Sequence, residues 1–403
     1  MMRMRRILIM ESGSFKVIGG AAKDTYNIYR YLESFPGYSV DVYGDFSKFG
    51  KDVSYVTEAE IFSRKYDVML LNSIRDMLLA GKYIEKHGNI ASVYTDRADV
   101  VGHYARSPIK RIAAYGGALF SDPSRSERIF TGKGTAGVTG RRRKIRNFFS
   151  KSYELHMLRK MRRWLTCYVA INADQVGYAK GFFGKDTHIE YVPRAPHDIF
   201  KKFAARKEYN GALYVGRLEE TQKNLSFMIN GVKRAIELHK ELEGRELLRI
   251  AGEGPDEQRY KAMVNTLGLG RNVTFLGFIE DGPKLVKLYN NAGFFVSTSA
   301  WEGMSRSIME AMACGLPVLL NEQSNAVISY SPKKTLVNDG RTGILYNRSN
   351  LEDFADKFYA LYSDEEQTAH MGDNASIFIG NELTMGKVLS AYKAIIDKAW
   401  TVP

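Results

Sequence analysis

The chain has 403 residues, more than one typical domain, and its apolar content of 44% is enough for two sizeable cores. No run approaches the apolar length of a membrane span, and the apolar stretch in the basic N-terminus, Ile7 to Met10, is too short for a signal peptide and reads as a first strand. The net charge of +13 calls for an anionic partner (a membrane surface, nucleic acid or an acidic glycan), while the seven scattered histidines lack zinc-ligand spacing.

Apolar strand-like runs alternate with helical patterns, which predicts an α/β protein. In the first half the runs are Ile7–Met10, Val40–Tyr43, Val68–Leu71, Ser92–Thr95, Tyr168–Asn172 and a short Ile189–Val192. Gly19 and Gly20 follow the first strand and precede a helical pattern, but SFKVIGGAAKD is not a full dinucleotide fingerprint. The fourth run ends in Asp96, with His103 seven residues on. Ser121 to Gly140 is rich in Ser, Gly and Thr, the composition of a functional or disordered loop.

The charge is concentrated next. Arg141 to Trp164 holds ten Lys or Arg and one Glu, a net +9. Ile145, Phe148, Phe149, Tyr153, Met157, Met161, Trp164 and Leu165 recur there at rough helical spacing. This is the pattern of a helix lying on anionic lipid, and equally of a domain helix that packs inward with a solvated basic face. No nucleic-acid motif accompanies the charge, so no nucleic acid is expected. Cys167 and Cys314 lie in apolar surroundings and are expected to be buried packing residues, which fits a cytoplasmic protein.

Pro193 to Asn210 is charged, contains proline and lacks period, and marks the boundary. Beyond it the runs are Ala212–Val215, Leu248–Ala251, Val273–Leu276, Phe294–Ser297 and Val318–Leu320. Each half can form its own doubly wound domain, and such sheets bind ligands at the C-terminal ends of their strands. The predicted division is residues 1–193, a linker 194–210, residues 211–384, and a final helix within 385–403. Val215-Gly216-Arg217-Leu218 and then Lys223-Asn224 follow the first strand of the second half. A glycine turn admits a close ligand, and Arg plus Lys can neutralise a diphosphate. Gly252 and Gly254 follow the next strand, and Pro255 suits the first position of a helix.

The stretch STSAWEGMSRSIMEAMACGLPVLL carries the most chemistry. It breaks at Gly303, reads as a helix from about Ser305 to Ala313 and stops at Gly315-Leu316-Pro317. Glu302 and Glu310 stand eight positions apart, one on the loop and one in the helix. With a rise of about 1.5 Å per residue, they lie too far apart to share a proton but suit the two ends of an extended ligand. Gly303, Met304 and Ser305 lead into the helix, whose first N–H groups form an anion site. A nucleotide sugar fits this order: sugar hydroxyls at Glu302, diphosphate at the helix start, ribose hydroxyls at Glu310. Two glutamates at this spacing are also compatible with one surface residue and one helical residue beside a core strand.

Glu302 and Glu310 with seven residues between, followed by AMACGLPV, resemble the donor-site signature of retaining GT-B glycosyltransferases, especially glycosyltransferase family 4 (glycosyl transferases group 1). The resemblance covers Ala212 to Tyr346 closely and the first half in outline. It implies two Rossmann-like domains facing each other across a cleft, with a C-terminal helix that crosses back to the first domain. The first domain would bind the acceptor and the second the nucleotide sugar. Arg217 and Lys223 resemble the GRL…KN element, at a spacing about one residue longer than the commonest pattern, and Gly252 and Gly254 resemble the GxGP loop near the base or ribose. Gly19 and Gly20 resemble the glycine-rich first loop, and Asp96 or His103 would lie near the transferred sugar, with Asp96 the choice here. The element usually reading PNGVD is instead Pro193-Arg194-Ala195-Pro196-His197-Asp198.

The implied activity is transfer of a sugar from a nucleoside-diphosphate sugar to a glycan or lipid-linked acceptor, with retention. Asp96, Arg217, Lys223 and Glu302 would be the catalytic residues. The chain has no Asp-x-Asp triplet and a basic phosphate site, so no metal or other cofactor is expected. The expected location is the cytoplasm, with peripheral attachment to the inner face of the membrane through the basic segment. A nucleotide-sugar 2-epimerase of the same fold and a non-catalytic basic membrane- or nucleic-acid-binding protein are the alternative readings.

Overall fold

The computed structural model describes residues 4–11, 20–44, 52–88, 90–95, 162, 164–203, 209–280, 282–300, 302–323, 329–331 and 334–400. Two compact units emerge, Met1–Val192 with Leu389–Pro403, and Pro193–Val388. Each is built on one six-stranded parallel sheet.

In the first unit β1 (Arg5–Glu11), β2 (Tyr38–Gly44), β3 (Val68–Leu71), β4 (Ala91–Thr95), β5 (Cys167–Ala170) and β6 (Ile189–Tyr191) run in the order β2-β1-β3-β4-β5-β6. Ile7 pairs with Val40 on one side and Val68 on the other. Strands covered on both faces need continuous apolar runs, which Ile7–Met10 and Val68–Leu71 supply with every residue buried. The fifth run ends earlier than its sequence suggests. Asn172 leaves the sheet to cap the Ala173–Phe183 helix, accepting from the Gln175 N–H at 3.0 Å. Cys167 and Cys314 are free and buried, and burial pushes both thiols up to about 12.

The Met385–Trp400 helix belongs to the first unit from Leu389 onward. Its Tyr392 hydroxyl reaches Thr95 Oγ1 at the end of β4, 3.3 Å away, and Lys398 Nζ reaches Glu190 Oε1 at 3.1 Å. Asp397 accepts hydrogen bonds from Arg5, Tyr38 and Lys393, and the Arg5 guanidinium lies 4.3 Å from the Trp400 ring centroid. Burial pushes the Asp397 carboxyl up, but hydrogen bonds from Lys393 and Tyr38 and the charges of Lys393 and Arg5 outweigh it and hold the carboxyl below the usual range.

The second unit comprises β7 (Ala212–Val215), β8 (Leu248–Ala251), β9 (Val273–Gly277), β10 (Phe294–Ser297), β11 (Val318–Asn321) and β14 (Gly343–Tyr346), in the order β14-β11-β10-β7-β8-β9. A short antiparallel pair, β12 (Ser329–Ser331) and β13 (Lys334–Thr335), lies apart. The edge strand β14 is absent from the sequence expectation. Its four residues follow the polar turn Asn338–Thr342, and pairing of Leu319 with Ile344 gives the run its strand identity. Residues from Pro193 count with the second unit. Phe200 packs edge-on against Tyr289, the Phe203 N–H donates to Asn290 Oδ1 at 2.6 Å, and Lys202 pairs with Asp373.

Gly19, Asp96, His103 and the Ser121–Gly140 loop lie outside the described residues, as does the basic segment apart from Arg162 and Trp164. Trp164, one of the apolar residues of that segment, packs against Gly81 and the core of the first unit, and its carbonyl accepts from the Ser92 hydroxyl. Among the described residues no helix is long and apolar enough to cross a membrane.

The Asp397 cluster yields a signed prediction. A carboxyl held below its ordinary pKa contributes stability above the unfolded value of about 3.9 and loses it as pH falls through the folded value. Asp397→Asn should therefore destabilise the protein at pH 7, by about 1 kcal/mol after allowing for partial exposure and screening. The gap from wild type should close as pH falls below about 4. Urea titrations at neutral and acid pH measure it, and a gap that persists unchanged in acid would show that Asp397 acts by packing alone.

Candidate functional site

Two loops at the C-terminal ends of β7 and β8 run against each other, backbone to backbone. Gly216 N–H donates to the Ala251 carbonyl at 3.0 Å, Leu218 N–H to Glu253 at 2.9 Å, and Asp256 N–H to Leu218 at 3.1 Å. A Cβ on Gly252 would stand 1.9 Å from the Gly216 oxygen, and one on Gly254 would stand 2.2 Å from the Leu218 oxygen. Gly252 also has φ +142°, in the region glycine favours. Both glycines are thus required by the meeting of the loops, whatever else they touch. Pro255 is not the first helical residue as expected. The helix is Glu257–Thr266, with Asp256 as its cap, and the Asp256 carboxylate is engaged by the Glu220 N–H at 2.8 Å.

The first loop leads into Lys223. Tyr214 donates its hydroxyl to the Arg217 carbonyl at 3.0 Å, and the Arg217 residue is exposed. Glu219 caps a one-turn helix, Glu220–Lys223, accepting from Thr221 and Gln222 N–H at 3.0 and 3.2 Å. Asn224 then turns left-handed (φ 50°, ψ 46°) and the Leu225–Leu238 helix begins at once. The short helix, capped at both ends, brings the lysine to a defined place.

That place is Glu302. Lys223 Nζ lies 2.5 Å from Glu302 Oε1, with side-chain exposures of 17% and 9%, so the pair is largely removed from water. Ser299 donates its hydroxyl to the same oxygen at 2.8 Å. Thr298 Oγ1 lies 2.9 Å from both the Lys223 and Asn224 carbonyls, and Ala300 N–H donates to Gln222 at 2.8 Å. The segment after β10 is therefore stitched to the segment after β7. Burial foremost, then the negative charge of Glu302, pushes the Tyr214 hydroxyl well above its ordinary pKa.

The chain passes Gly303 and reaches Met304, buried, whose sulfur accepts from the Arg194 N–H at 3.1 Å. Ser305 is the N-cap of the Arg306–Ala313 helix, yet its hydroxyl meets Ser307 Oγ at 3.2 Å and makes no capping bond. Glu310 follows on this helix, buried, with Tyr289 donating to its Oε2 at 3.1 Å. Burial foremost, then the Glu310 charge and the hydrogen bond, push Tyr289 well above its ordinary pKa, so it stays a donor.

Of the residues singled out from sequence, Lys223 and Glu302 are in direct contact, and Gly303, Met304, Ser305 and Glu310 continue along the same loop and helix. Gly216, Gly252 and Gly254 lie on the interlocked loops beside β7 and β8, and Arg217 projects from the first. Gly20 opens the Gly20–Glu33 helix of the first unit. Sequence reasoning missed Thr298, Ser299 and Tyr289. The Ser-Thr-Ser run at the end of a core strand was the available signal for the first two, because open α/β sheets bind ligands at the carboxyl ends of their strands.

Residues 197–377 match the family described as glycosyl transferases group 1. The lipopolysaccharide 1,6-galactosyltransferase of Salmonella typhimurium is 26% identical over 194 residues, 48% of this chain and 50% of that protein. The chain spans half or less of the length of the curated relatives it matches. Among solved structures, sucrose-phosphate synthase from Thermosynechococcus elongatus superposes with a TM-score of 0.70 at 14% identity, covering 99% of this chain and 100% of that one. Anabaena HepE in complex with UDP gives 0.69 at 16% identity, covering 98% and 100%. These likenesses establish the GT-B fold.

Removing one member of a buried ion pair strands the other charge. Lys223→Met should destabilise the second unit by about 3 kcal/mol, and Lys223→Met with Glu302→Gln should recover most of the loss. Denaturant unfolding of the single and double variants measures this. Equal losses in both would mean that the stranded charge of Glu302 is not what destabilises the single variant.

Proposed function

Because residues 197–377 of this chain match the glycosyl transferases group 1 family, we propose that the protein moves a sugar from a nucleoside-diphosphate sugar to a hydroxyl of a glycan or lipid-linked glycan, with retention of configuration. The observation that carries the reading is the Lys223–Glu302 pair, set just ahead of the helix that holds Glu310. One cation, one helix start and two carboxylates then meet the diphosphate, the sugar and the ribose of a single extended donor.

The roles follow from charge and placement. Lys223 and the exposed Arg217 neutralise the diphosphate, whose negative charge grows as the bond to the sugar breaks. The backbone at Gly303, Met304 and Ser305 offers N–H groups to the phosphates. Glu302 accepts from donor-sugar hydroxyls and Glu310 from the ribose, its other side steadied by Tyr289. The interlocked loops that carry Gly216, Gly252 and Gly254 lie on the side of the base and ribose. The acceptor hydroxyl attacks the anomeric carbon, the bond to the diphosphate breaks, and a departing phosphate oxygen takes the acceptor proton. Asp96, and Gly19 and Gly20 in the first unit, are proposed to face the transferred sugar and the acceptor. The UDP complex of HepE supports a nucleoside diphosphate as leaving group and makes UDP-sugars the first donors to test.

The test is release of nucleoside diphosphate from a panel of nucleotide sugars, with and without glycan acceptors, with the anomeric configuration of the product read by NMR. Epimerised donor formed without any acceptor would overturn the transfer reading. Glu310→Ala should weaken nucleoside-diphosphate binding about tenfold, as expected for one lost hydrogen bond to a carboxylate. Unchanged affinity by calorimetry would remove Glu310 from the site. Positive side chains and a helix start take the part of a cation here, so activity should survive EDTA. Loss on chelation, restored by Mg²⁺ or Mn²⁺, would contradict metal-free transfer.

A further inference from the structure

Glu302 holds its two oxygens in different states. Oε1 receives Lys223 Nζ at 2.5 Å and Ser299 Oγ at 2.8 Å, while Oε2 has no hydrogen-bond partner among the described residues. An ionised carboxylate only accepts, so the single hydroxyl hydrogen of Ser299 points at Glu302. The 3.1 Å contact between Ser297 Oγ and Ser299 Oγ then has one direction, with Ser297 donating to Ser299. Both serines are buried, at 6% and 1% exposure, so water does not compete for these bonds. The Ser299 carbonyl is itself fixed by Asn321 Nδ2 at 2.8 Å, from the buried end of β11. A directed chain therefore runs from β10 through Ser297 and Ser299 to one oxygen of Glu302.

Thr298 does for the cation what Ser299 does for the anion. Its one hydroxyl hydrogen is shared between the Lys223 and Asn224 carbonyls, at the left-handed turn that ends the one-turn helix. Two successive hydroxyls thus fix both members of the charged pair from one strand end.

We propose that Ser299 is a positioning residue for glycosyl transfer. By occupying Oε1 together with Lys223, it turns Oε2 toward the donor sugar and makes that oxygen the acceptor for a sugar hydroxyl. The proposal rests on the glycosyl-transfer reading, with Glu302 at the sugar rather than at the nucleotide. Ser299 then governs affinity for the sugar part of the donor and leaves affinity for the nucleotide part alone.

The experiment compares binding of UDP and of the UDP-sugar that the wild type turns over, for wild type, Ser299→Ala, Ser299→Thr, Glu302→Gln and the Ser299→Ala/Glu302→Gln double variant. Melting temperature serves as the check on folding. Ser299→Ala should weaken the UDP-sugar and lower kcat/KM about tenfold, with UDP affinity kept within about twofold. Ser299→Thr, which keeps the hydroxyl, should recover most of the loss. In the Glu302→Gln background, Ser299→Ala should cost no further binding, because the group it positions is already altered. A loss shared equally by UDP and UDP-sugar, a second full loss in the Glu302→Gln background, or no loss at all would overturn the proposal. Failure of the transfer reading shows separately, as a wild type that turns over no nucleotide sugar.

Discussion

The ion pair between Lys223 and Glu302 is the constraint around which the second unit's strand ends are arranged. Desolvating two charges costs several kcal/mol per ion, and their attraction offsets this only if the geometry is tight and the remaining bonds are met. The surrounding structure meets that condition. Lys223 is placed by a capped single-turn helix and a left-handed Asn224, Glu302 by the Ser299 hydroxyl, and the two backbones are tied together by Thr298 and Ala300. Buried ion pairs can often be replaced by apolar residues without loss of stability, which is the reason to look for this pair's purpose in chemistry.

The neighbouring loops show the same logic in backbone form. The β7 and β8 loops approach so closely that only glycine fits at positions 252 and 254, and the approach is fixed by three backbone hydrogen bonds. Glycines at a strand-to-helix turn are usually credited to the ligand. Here their first cause is internal, because each side chain would strike a carbonyl of the facing loop. A ligand at these loops would meet a backbone already held in place, and pre-organisation of this kind lowers the cost of binding.

Much of this was legible in the sequence, and the reasons for success and failure are physical. Strands buried on both faces must be written as continuous apolar runs, so β1, β3, β7 and β10 could be read almost to the residue. Glu302, Glu310 and their flanking AMACGLPV carried the family because a strand, a loop and a helix start fix each position in turn. What stayed unread shares a cause. The strand identity of β14 depends on its neighbour β11, the placement of Phe200 and Phe203 on Tyr289 and Asn290, and the place of Trp164 on the core around Gly81. Each is a partnership across sequence distance, which no local pattern records. Ser299 belongs to the same class, since a serine three residues before a glutamate says nothing until both side chains have a direction.

The two glutamates illustrate why spacing alone understates a site. Both are buried; Glu302 meets a cation and a hydroxyl on one oxygen, and Glu310 accepts from the Tyr289 hydroxyl. On the proposed reading the cation beside Glu302 has a function. The diphosphate brings negative charge next to Glu302, and without Lys223 the two anions would repel at close range in a site largely closed to water. The lysine therefore serves both neighbours in turn. It compensates Glu302 before the donor arrives and stands ready for the diphosphate as that group gains charge in leaving, while Ser299 keeps the carboxylate in place as the lysine's attention divides.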